Sequence, residues 1–448
     1  MFIKKIDNKK YDVIIVGGGP AGISLALRLA KSIQGNILLI ETGLKDFNSA
    51  ISELSEVKSS GDLSDQYYPV HAQRVLGGTS SVWAGYCSTL EKRSFMANEW
   101  PIDFKVVEPY YREAATVLDL PTEAWKKPTT KLTDGGSIVY RPYYLSPPVR
   151  FKEKYYDELN DHKTIDILLG TTCLEILSTN KSVDGLILGS SRGDSLETTK
   201  VYAKQYILSC GGIGNPRLLQ LSNIGEDSIV GHYFSEHPHI YSAGMLELNM
   251  SALKPSLQKG NVVHALQLSD DFCIQNSLLS FTVSFSIDQT QKRVLLGKVQ
   301  DVYVSKAIIR AEMLPQPTNK VTLGDYTNSL NQPKTQVDFQ FNYKELAKKN
   351  WDTFGVQLLA AGIGRTTTSS SMDHKTTGGG HYICTTRMGT SIDNSVVDGN
   401  CKVHDMENLY IAGSSIFSAS AAANPTFTIV ALALRLADYL TIKLQGKH

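Results

Sequence analysis

The start of the chain alternates between continuous apolar runs and one glycine-rich turn. Residues 13–16 are consecutive β-favouring apolar residues and predict a buried strand. After the turn at 17–22, apolar residues recur at spacings of three and four, which predicts an amphipathic helix. A second apolar run at 37–40 predicts another buried strand, and Glu41 follows it. This order of strand, turn, helix and strand is typical of an α/β unit with a parallel sheet.

The glycine-rich turn has the spacing of a dinucleotide-binding fingerprint. Gly17, Gly19 and Gly22 satisfy GxGxxG. The first glycine permits the tight turn, the second lets the backbone approach a pyrophosphate, and the third allows the helix to pack closely on the strand. Glu41 follows Gly22 by 19 residues and is placed to bind ribose hydroxyls. The complete context predicts dinucleotide binding, and its place near the start of the sequence favours FAD over NAD.

Further along, helical spacing gives way to short alternating strands. An apolar stripe at 106–125 predicts a helix that Pro121 ends. Short apolar runs predict strands at 165–169, 173–177, 183–188 and 206–209. Long β-branched runs within 240–345 predict a largely antiparallel sheet in a separate unit. The expected fold class is α/β: a Rossmann-like FAD-binding domain plus a substrate domain with a largely antiparallel β-sheet flanked by helices.

The two expected domains are not consecutive in the sequence, because the flavin unit takes segments from both ends and the middle of the chain. A length of 448 residues fits two or three domains. The expected FAD-binding domain comprises residues 1–105, 165–240 and 378–448. The expected substrate-binding domain comprises residues 106–164 and 241–377.

Histidine and asparagine supply the remaining candidate chemistry. His381 follows three glycines, a setting that fits a surface or capping residue as well as a catalyst. Asn424 followed by Pro425 predicts the N-cap and first turn of an apolar helix. His237 and His239 alternate around a proline, but no third ligand accompanies them, so no metal site is predicted.

Composition narrows the class of protein. Hydrophobic residues make up 42% and charged residues 20%, as in an ordinary soluble protein, and the net charge of +1 argues against a nucleic-acid partner. The near-zero charge suits a neutral substrate such as a sugar. Six cysteines without a CxxC pair fit a reducing cytoplasm. The sequence shows no signal peptide and no apolar run of about 18 residues, so no membrane span is expected.

Together, several motifs resemble the glucose–methanol–choline (GMC) oxidoreductase family of FAD enzymes. They lie at residues 17–22 with Glu41, 76–82, 212–225, 231–238, 313–323, 409–415 and 424–431. Trp83 and the runs at 100–102 and 385–389 are similar to the branch that contains pyranose oxidases, gluconate dehydrogenases and fructose dehydrogenases. Cys384 stands where the family usually has glycine.

The resemblance implies a role for each candidate residue. His381 matches the family's catalytic histidine, and Asn424, 43 residues later, matches its second catalytic position. FAD is expected to be non-covalent, because Val82 stands where pyranose oxidases have a flavin-bonded histidine. The fingerprint and the resemblance together give the expected cofactor-binding residues: Gly17, Gly19, Pro20, Ala21, Gly22, Glu41, Thr42, Gly77, Gly78, Thr79, Ser80, Val82, Trp83, Cys173, Gly211, Gly413, Ser414, Asn424, Pro425 and Thr426.

The implied activity is oxidation of an alcohol to the carbonyl by hydride transfer to flavin N5, with His381 as base. The expected substrate is a secondary hydroxyl of a sugar or glycoside, and the electron acceptor is dioxygen, a quinone or another protein. Two alternatives stay open: a non-sugar alcohol, and a flavin-binding protein without catalysis on the same fold. A flavin disulfide reductase or an NADPH monooxygenase is disfavoured, because the sequence has no CxxxxC pair and no second complete fingerprint.

Overall fold

The protein is built from two large sheets with helices around them. The structure, a computed structural model, describes residues 1–6, 9–97, 100–134, 136–190, 196–226, 228–342, 344–370, 372 and 376–446. Within these residues one sheet has six strands, one has nine and three more have three each. The expected α/β fold class, with a separate antiparallel sheet, is confirmed.

The six-stranded sheet is parallel throughout. In spatial order its strands are Phe2–Ile3, Ile165–Leu169, Ile37–Glu41, Tyr11–Val16, Ala203–Leu208 and Leu409–Ile411. All five residues of Ile37–Glu41 are buried, as expected for a strand with both faces covered. The sheet joins strands from the start, middle and end of the described chain.

The nine-stranded sheet is antiparallel in every pairing found among the described residues. Its main path is Gly364–Thr368, Pro238–Asn249, Lys298–Ala311, Phe281–Ser284, Ala265–Leu268, Ile138–Tyr140 and Thr130–Lys131. Thr290–Leu295 pairs with Lys298–Ala311, and Thr376–Gly378 pairs with Pro238–Asn249. Most of the predicted strand-rich region therefore forms this sheet, while the strands Val262–Val263, Lys320–Thr327 and Pro333–Phe339 lie in smaller sheets.

Three small sheets complete the described strands. They are Thr172–Thr179 with Ser182–Ser190 and Glu197–Val201; Val262–Val263 with Tyr143–Leu145 and Tyr86–Cys87; and Lys320–Thr327 with Pro333–Phe339 and Val57–Gly61. The last of these joins a segment from the first sixty-odd residues to one beyond residue 300. This small sheet therefore holds together segments that are far apart in the sequence.

Helices cover the two large sheets. The α-helices are Pro20–Ser32, Ser49–Ser52, Tyr67–His71, Lys92–Ala97, Phe104–Val117, Glu123–Lys126, Phe151–Asp161, Gly211–Leu221, Met250–Leu253, Asp270–Gln275, Lys344–Ala360 and Thr426–Leu444. Short 3₁₀ turns occupy Glu53–Ser55, Gly78–Ser81 and Ser414–Ile416. Across these segments, no helix is both long and apolar enough to cross a membrane.

The helix Phe104–Val117 shows where the expected domain division fails. It packs on the C-terminal helix Thr426–Leu444, with Val107 and Tyr111 buried in the core of the parallel sheet. The Tyr111 hydroxyl and the Thr428 hydroxyl lie 2.8 Å apart. This helix therefore belongs with the parallel sheet, although residues from 106 onward were expected in the substrate domain. Apolar spacing predicts a buried face, but it does not say which sheet covers that face.

Candidate active site

A cavity of about 680 Å³ lies where the carboxyl ends of the parallel strands meet one face of the nine-stranded sheet. Open α/β sheets bind ligands at this edge, and the volume falls in the usual range for small-molecule sites. Most predicted site residues line it: Gly17, Gly19, Pro20, Ala21, Glu41, Thr42, Gly78, Thr79, Ser80, Val82, Trp83, Gly211, His381, Gly413, Ser414, Asn424, Pro425 and Thr426. We call the part of the cavity beside the fingerprint the glycine end, and the part beside the nine-stranded sheet the sheet end.

Two predicted glycines lie behind the cavity wall rather than in it. A Cβ on Gly22 would lie 2.0 Å from the carbonyl oxygen of Gly17, so Gly22 allows the close packing of helix on strand that the fingerprint predicts. The backbone N–H of Gly77 donates to the carbonyl oxygen of Gly18 at 2.8 Å. That hydrogen bond joins the two glycine loops, so both glycines support the wall without facing the ligand.

Cys173 was expected among the cofactor-binding residues, and the structure places it outside the cavity lining. It is buried at the start of a strand, and its thiol lies 3.8 Å from the carbonyl oxygen of Glu175. Thr171, just before this strand, lines the cavity instead. Thr171 lies in the link between the strands Ile165–Leu169 and Thr172–Thr179, and apolar patterning does not predict which residue of a link faces a cavity.

The glycine end provides backbone groups and space. Gly17 has φ +112°, and a Cβ there would lie 2.4 Å from the carbonyl oxygen of Ser209, so the fold itself requires this glycine. A Cβ on Gly19 would come no closer than 3.9 Å to Gly78, its nearest neighbour in the protein. Gly19 is also the N-cap of the helix Pro20–Ser32 and makes no side-chain cap. The first N–H groups of that helix are therefore available for an anionic ligand such as a pyrophosphate.

Glu41 closes the glycine end from the second strand. Its carboxylate accepts hydrogen bonds from the backbone N–H groups of Gly18 and Gly43, each at 2.7 Å. Burial raises the pKa of this carboxyl, while the two N–H groups and nearby Arg74 act to lower it. The side chain also lines the cavity, the position expected of an acid that binds ribose hydroxyls.

Two histidine rings form the centre of the sheet end. Nδ1 of His237 lies 2.8 Å from Nδ1 of His381, and Nε2 of His237 lies 2.7 Å from the carbonyl oxygen of Ser420. A carbonyl oxygen only accepts, so His237 carries its proton on Nε2 and leaves Nδ1 bare. His381 must then donate from Nδ1, which leaves its own Nε2 unprotonated. The hydrogen bonds thus place an unprotonated Nε2 of His381 beside the cavity.

Asn424 has a different role from the predicted helix cap. The N-cap position of Thr426–Leu444 belongs to Pro425, and no side chain caps this helix. Instead, Nδ2 of Asn424 lies 3.3 Å from Nε2 of His381. The amide oxygen of Asn424 is buried and has no hydrogen-bond partner. The cap interpretation is therefore wrong, and the amide faces a site where a polar ligand atom would satisfy it.

The surroundings of His381 keep its ring neutral. Burial lowers its pKa well below the usual value, and the nearby rings of His237 and His239 and the charge of Arg310 lower it further. Burial also lowers the pKa of His237. A neutral His381 with an unprotonated Nε2 is in the state that a general base requires.

A buried carboxylate that sequence reasoning missed positions the loop of His381. Glu236 accepts hydrogen bonds from the Tyr67 hydroxyl at 2.6 Å, the His237 N–H at 2.7 Å and the His381 N–H at 2.8 Å. Burial raises the pKa of this carboxyl to about 7, although each of these hydrogen bonds acts to lower it. Glu236 therefore holds both histidines through their backbones, while their rings meet above it.

The wall of the sheet end consists of four residues that were also missed: His239, Tyr241, Ile308 and Arg310. His239 and Arg310 face each other across two neighbouring antiparallel strands. The His-Pro-His alternation at 237–239 is the available signal in the sequence, and by itself it is typical of a pair of metal ligands as much as of a cavity wall. Among the described residues no three His, Cys, Asp or Glu side chains are grouped to hold a metal ion.

Cys384 shows how the chain keeps a glycine-like backbone without glycine. This residue has φ +73°, in the left-handed region, and its side chain is buried. Non-glycine residues adopt this region at a cost in conformational energy. The loop after His381 therefore retains the shape that a glycine at this position would allow.

Comparison with known proteins supports the family resemblance. Two models described as GMC oxidoreductase match residues 152–239 and 315–433. These two stretches match the N- and C-terminal domains of GMC oxidoreductases. The expected resemblance is thereby confirmed, and with it FAD as the cofactor. The open helix N-terminus, the space at Gly19 and the unpartnered amide oxygen of Asn424 fit that cofactor and its substrate.

Curated relatives of the chain are distant. It is 27% identical to the fructose dehydrogenase large subunit of Gluconobacter japonicus and 25% identical to a 2-methyl-1,2-propanediol dehydrogenase of Mycolicibacterium austroafricanum, each match covering 54% of this chain and 48% of the relative. The chain thus spans about half the length of these relatives. It is 22% identical to a sinalpyl alcohol oxidase of Nesocodon mauritianus, over 98% of this chain and 90% of the relative.

Solved structures support the fold. A pyridoxine 4-oxidase from Mesorbium loti superposes with a TM-score of 0.61 at 16% identity, over 96% of this chain and 98% of that one. A formate oxidase superposes with a TM-score of 0.64 at 16% identity, over 99% of this chain and all of that one. At this level of identity the likeness concerns the fold alone.

Proposed function

We propose that this protein oxidises an alcohol to a carbonyl compound, with His381 accepting the proton of the hydroxyl. The observation that carries the proposal is the unprotonated Nε2 of His381, which lies 3.3 Å from the Asn424 amide in the wall of the cavity. When bound, FAD supplies the acceptor for the hydride that leaves the alcohol carbon. The residues of the chain hold the alcohol and take its proton.

His237 stabilises the protonated state of His381. Once Nε2 of His381 takes the proton, both ring nitrogens carry hydrogen and the ring becomes cationic. Nδ1 of His237 continues to accept from Nδ1 of His381 at 2.8 Å, and Ser420 holds His237 in the orientation that allows this. A positioned partner of this kind keeps the base in the reactive tautomer before the transfer and accepts its hydrogen bond afterwards.

Asn424 orients the alcohol. Its Nδ2 group, next to Nε2 of His381, is placed to donate a hydrogen bond to the alcohol oxygen while the hydroxyl points at His381. Holding one oxygen between a donor and a base fixes the direction of the C–H bond that breaks. The proposed catalytic pair is therefore His381 as base and Asn424 as orienting donor.

We further propose a sugar or glycoside as the substrate, oxidised at a secondary hydroxyl. Support comes from the fructose dehydrogenase relative and from the sequence features of the sugar-oxidising branch. The alternative is a non-sugar alcohol, supported by the sinalpyl alcohol oxidase match, which covers nearly the whole chain.

We also propose that FAD is bound non-covalently, because Val82 offers no nucleophilic atom. The proposed electron acceptor is dioxygen, a quinone or another protein. The sparse cysteines of the sequence support a cytoplasmic location.

A substrate panel tests this proposal. The purified holoenzyme is mixed without oxygen with sugars, glycosides, simple diols, aromatic alcohols and NADPH, and loss of the visible flavin absorbance is followed. We expect sugars to reduce the flavin with the highest kcat/KM. Reduction by diols or aromatic alcohols alone would select the non-sugar alternative, and reduction by NADPH alone would contradict alcohol oxidation.

A further inference from the structure

Arg310 occupies an unusual place in the sheet end of the cavity. It is 8% exposed, yet it lines the cavity together with His381. Its guanidinium carbon lies 4.9 Å from the centre of the Tyr86 ring and 5.2 Å from the centre of the Tyr143 ring. The two aromatic rings thus hold the guanidinium by cation–π contacts.

The edges of this guanidinium are largely unused by the protein. Its hydrogen bond to described residues runs from Nη1 to the Ser284 hydroxyl at 2.5 Å. Within the described part of the chain, no Asp or Glu lies within salt-bridge distance of it. A guanidinium has five N–H donors, and a buried charge is costly when it has no partner. The site therefore has donors and positive charge to offer a ligand.

The surrounding wall does not supply the missing negative charge. Among the described lining residues the carboxylate is Glu41, which belongs to the glycine end. The neighbours of Arg310 in the sheet wall are His239, Tyr241 and Ile308. His239 is 7% exposed, its Nε2 has no hydrogen-bond partner, and its pKa lies well below the usual value because of burial and the charge of Arg310. The wall is thus positively charged, with neutral polar groups beside the charge.

We propose that the substrate is an alcohol that also carries an acidic group, a carboxylate or a phosphate, and that Arg310 binds this group while His381 receives the hydroxyl proton. The inference rests on the proposed function and narrows its substrate class. An arginine presents parallel N–H donors that match a carboxylate or phosphate. A sugar acid or sugar phosphate meets both requirements, in contrast to the neutral sugar that the net charge of the chain suits.

The spacing of the two groups fits a small substrate. The ring centres of His239 and His381 are 6.0 Å apart. His239 and Arg310 are directly opposite on neighbouring strands, and such pairs have Cβ atoms about 5 Å apart. His239 is therefore a neighbour of both the base and the arginine. We expect one small hydroxy acid to reach both, with its acidic group at Arg310 and a secondary hydroxyl at His381.

The test compares matched alcohols that differ in charge. Glucose, glucuronate and glucose 6-phosphate share a ring, and 1,2-propanediol and lactate form a non-sugar pair. Anaerobic flavin reduction of the holoenzyme gives kcat and KM for each. In at least one of the matched sets, we expect the acidic compound to have a KM at least about tenfold below that of the neutral compound, because a hydrogen bond to a charged group contributes that much binding free energy. Whether glucuronate or glucose 6-phosphate is preferred distinguishes carboxylate from phosphate.

Substitution of Arg310 assigns the effect to this residue. Arg310→Gln should raise the KM for the acidic substrate about 10- to 100-fold and raise that of the neutral partner much less, so that the preference for the acidic substrate is lost. Arg310→Lys, which keeps the charge but not the fork of donors, should lose less. Arg365→Gln is the matched control, because Arg365 is an exposed arginine of the same sheet that pairs with Glu247 outside the cavity. It should change neither KM.

Two results would overturn the inference while leaving alcohol oxidation intact: neutral substrates reduce the flavin as well as acidic ones, or Arg310→Gln changes both classes alike. If no alcohol reduces the flavin, the proposed function fails, and binding then decides the charge claim. In that case acidic compounds must still bind and change the flavin absorbance spectrum, and Arg310→Gln must abolish that change. If either result is absent, the inference also fails. Should Arg310→Gln retain no flavin, Arg310→Lys carries the comparison.

Discussion

The two ends of the cavity are built in different ways. The glycine end consists of short local motifs, in which backbone N–H groups and missing side chains make room for a ligand. The sheet end joins side chains from positions 236–241, 308–310, 381 and 424, which lie far apart in the sequence. The backbone groups of the glycine end are expected to bind the cofactor. The side chains of the sheet end are expected to transfer the proton and to select the substrate. Substitutions at the two ends should therefore fail in different ways.

The largest effects are expected at the glycine end. Gly17→Ala would set a Cβ 2.4 Å from the Ser209 carbonyl at φ +112°, which should cost about 3 kcal/mol or more of stability. Gly19→Ala meets no protein atom within 3.9 Å but enters the space for the pyrophosphate, so flavin affinity should fall about tenfold or more. Thermal unfolding of the apoprotein and flavin content measure the two losses separately. A Gly19→Ala protein that folds and retains its full flavin content would contradict a pyrophosphate site beside Gly19.

At the sheet end, substitution of His237 is expected to slow flavin reduction. His237→Ala removes the acceptor for the Nδ1 proton of His381, so the reactive tautomer is no longer enforced. The rate of flavin reduction should fall on the order of 10- to 100-fold, less than loss of the base itself, while flavin content stays unchanged. His237→Asn should recover part of the rate, since its amide oxygen can accept.

His264→Ala is the matched control for His237. His264, like His237, directly precedes a strand of the nine-stranded sheet; it lies 2.8 Å from the Tyr140 hydroxyl and does not line the cavity. Its substitution should leave the reduction rate unchanged. A purely structural role for His237 would lower flavin content and rate together and would not be rescued by asparagine.

The smallest effect is expected at Asn424. Asn424→Ala removes one hydrogen bond to the alcohol oxygen, which should slow flavin reduction about tenfold. Asn424→His should be tolerated, because a histidine also offers an N–H donor and the GMC resemblance places His or Asn at this position. The helix Thr426–Leu444 should remain stable in both variants, because Asn424 does not cap it. A large loss of thermal stability would restore the capping interpretation.

Sequence reasoning was most successful where function depends on local backbone. Gly17, Gly19 and Gly22 with Glu41 specified the glycine end, because turn, helix start and acid follow one another within one α/β unit. The strands beside them, Tyr11–Val16 and Ile37–Glu41, lie where the apolar runs predict them. A motif of this kind carries its own structural context in its spacing.

It was least successful where function depends on tertiary pairing. Taken alone, His381 fitted a capping role and Asn424 a helix cap, and only the family resemblance joined them. The pattern around His237 suggests only a possible metal ligand. No sequence pattern around Glu236 or Arg310 indicates a functional role. Their roles follow from strand register and from a hydrogen bond between residues 144 positions apart. Local patterns do not encode such contacts.

The central claim is that His381 takes the proton of an alcohol, and single-turnover flavin reduction of His381→Ala tests it most directly. With an alcohol selected by the panel, the variant should keep its flavin and reduce it about 10²–10⁴-fold more slowly than the unsubstituted protein. In the unsubstituted protein the rate of flavin reduction should stay constant through neutral pH and fall only in acid, because the pKa of His381 lies well below its usual value. An unchanged rate in His381→Ala would contradict the account.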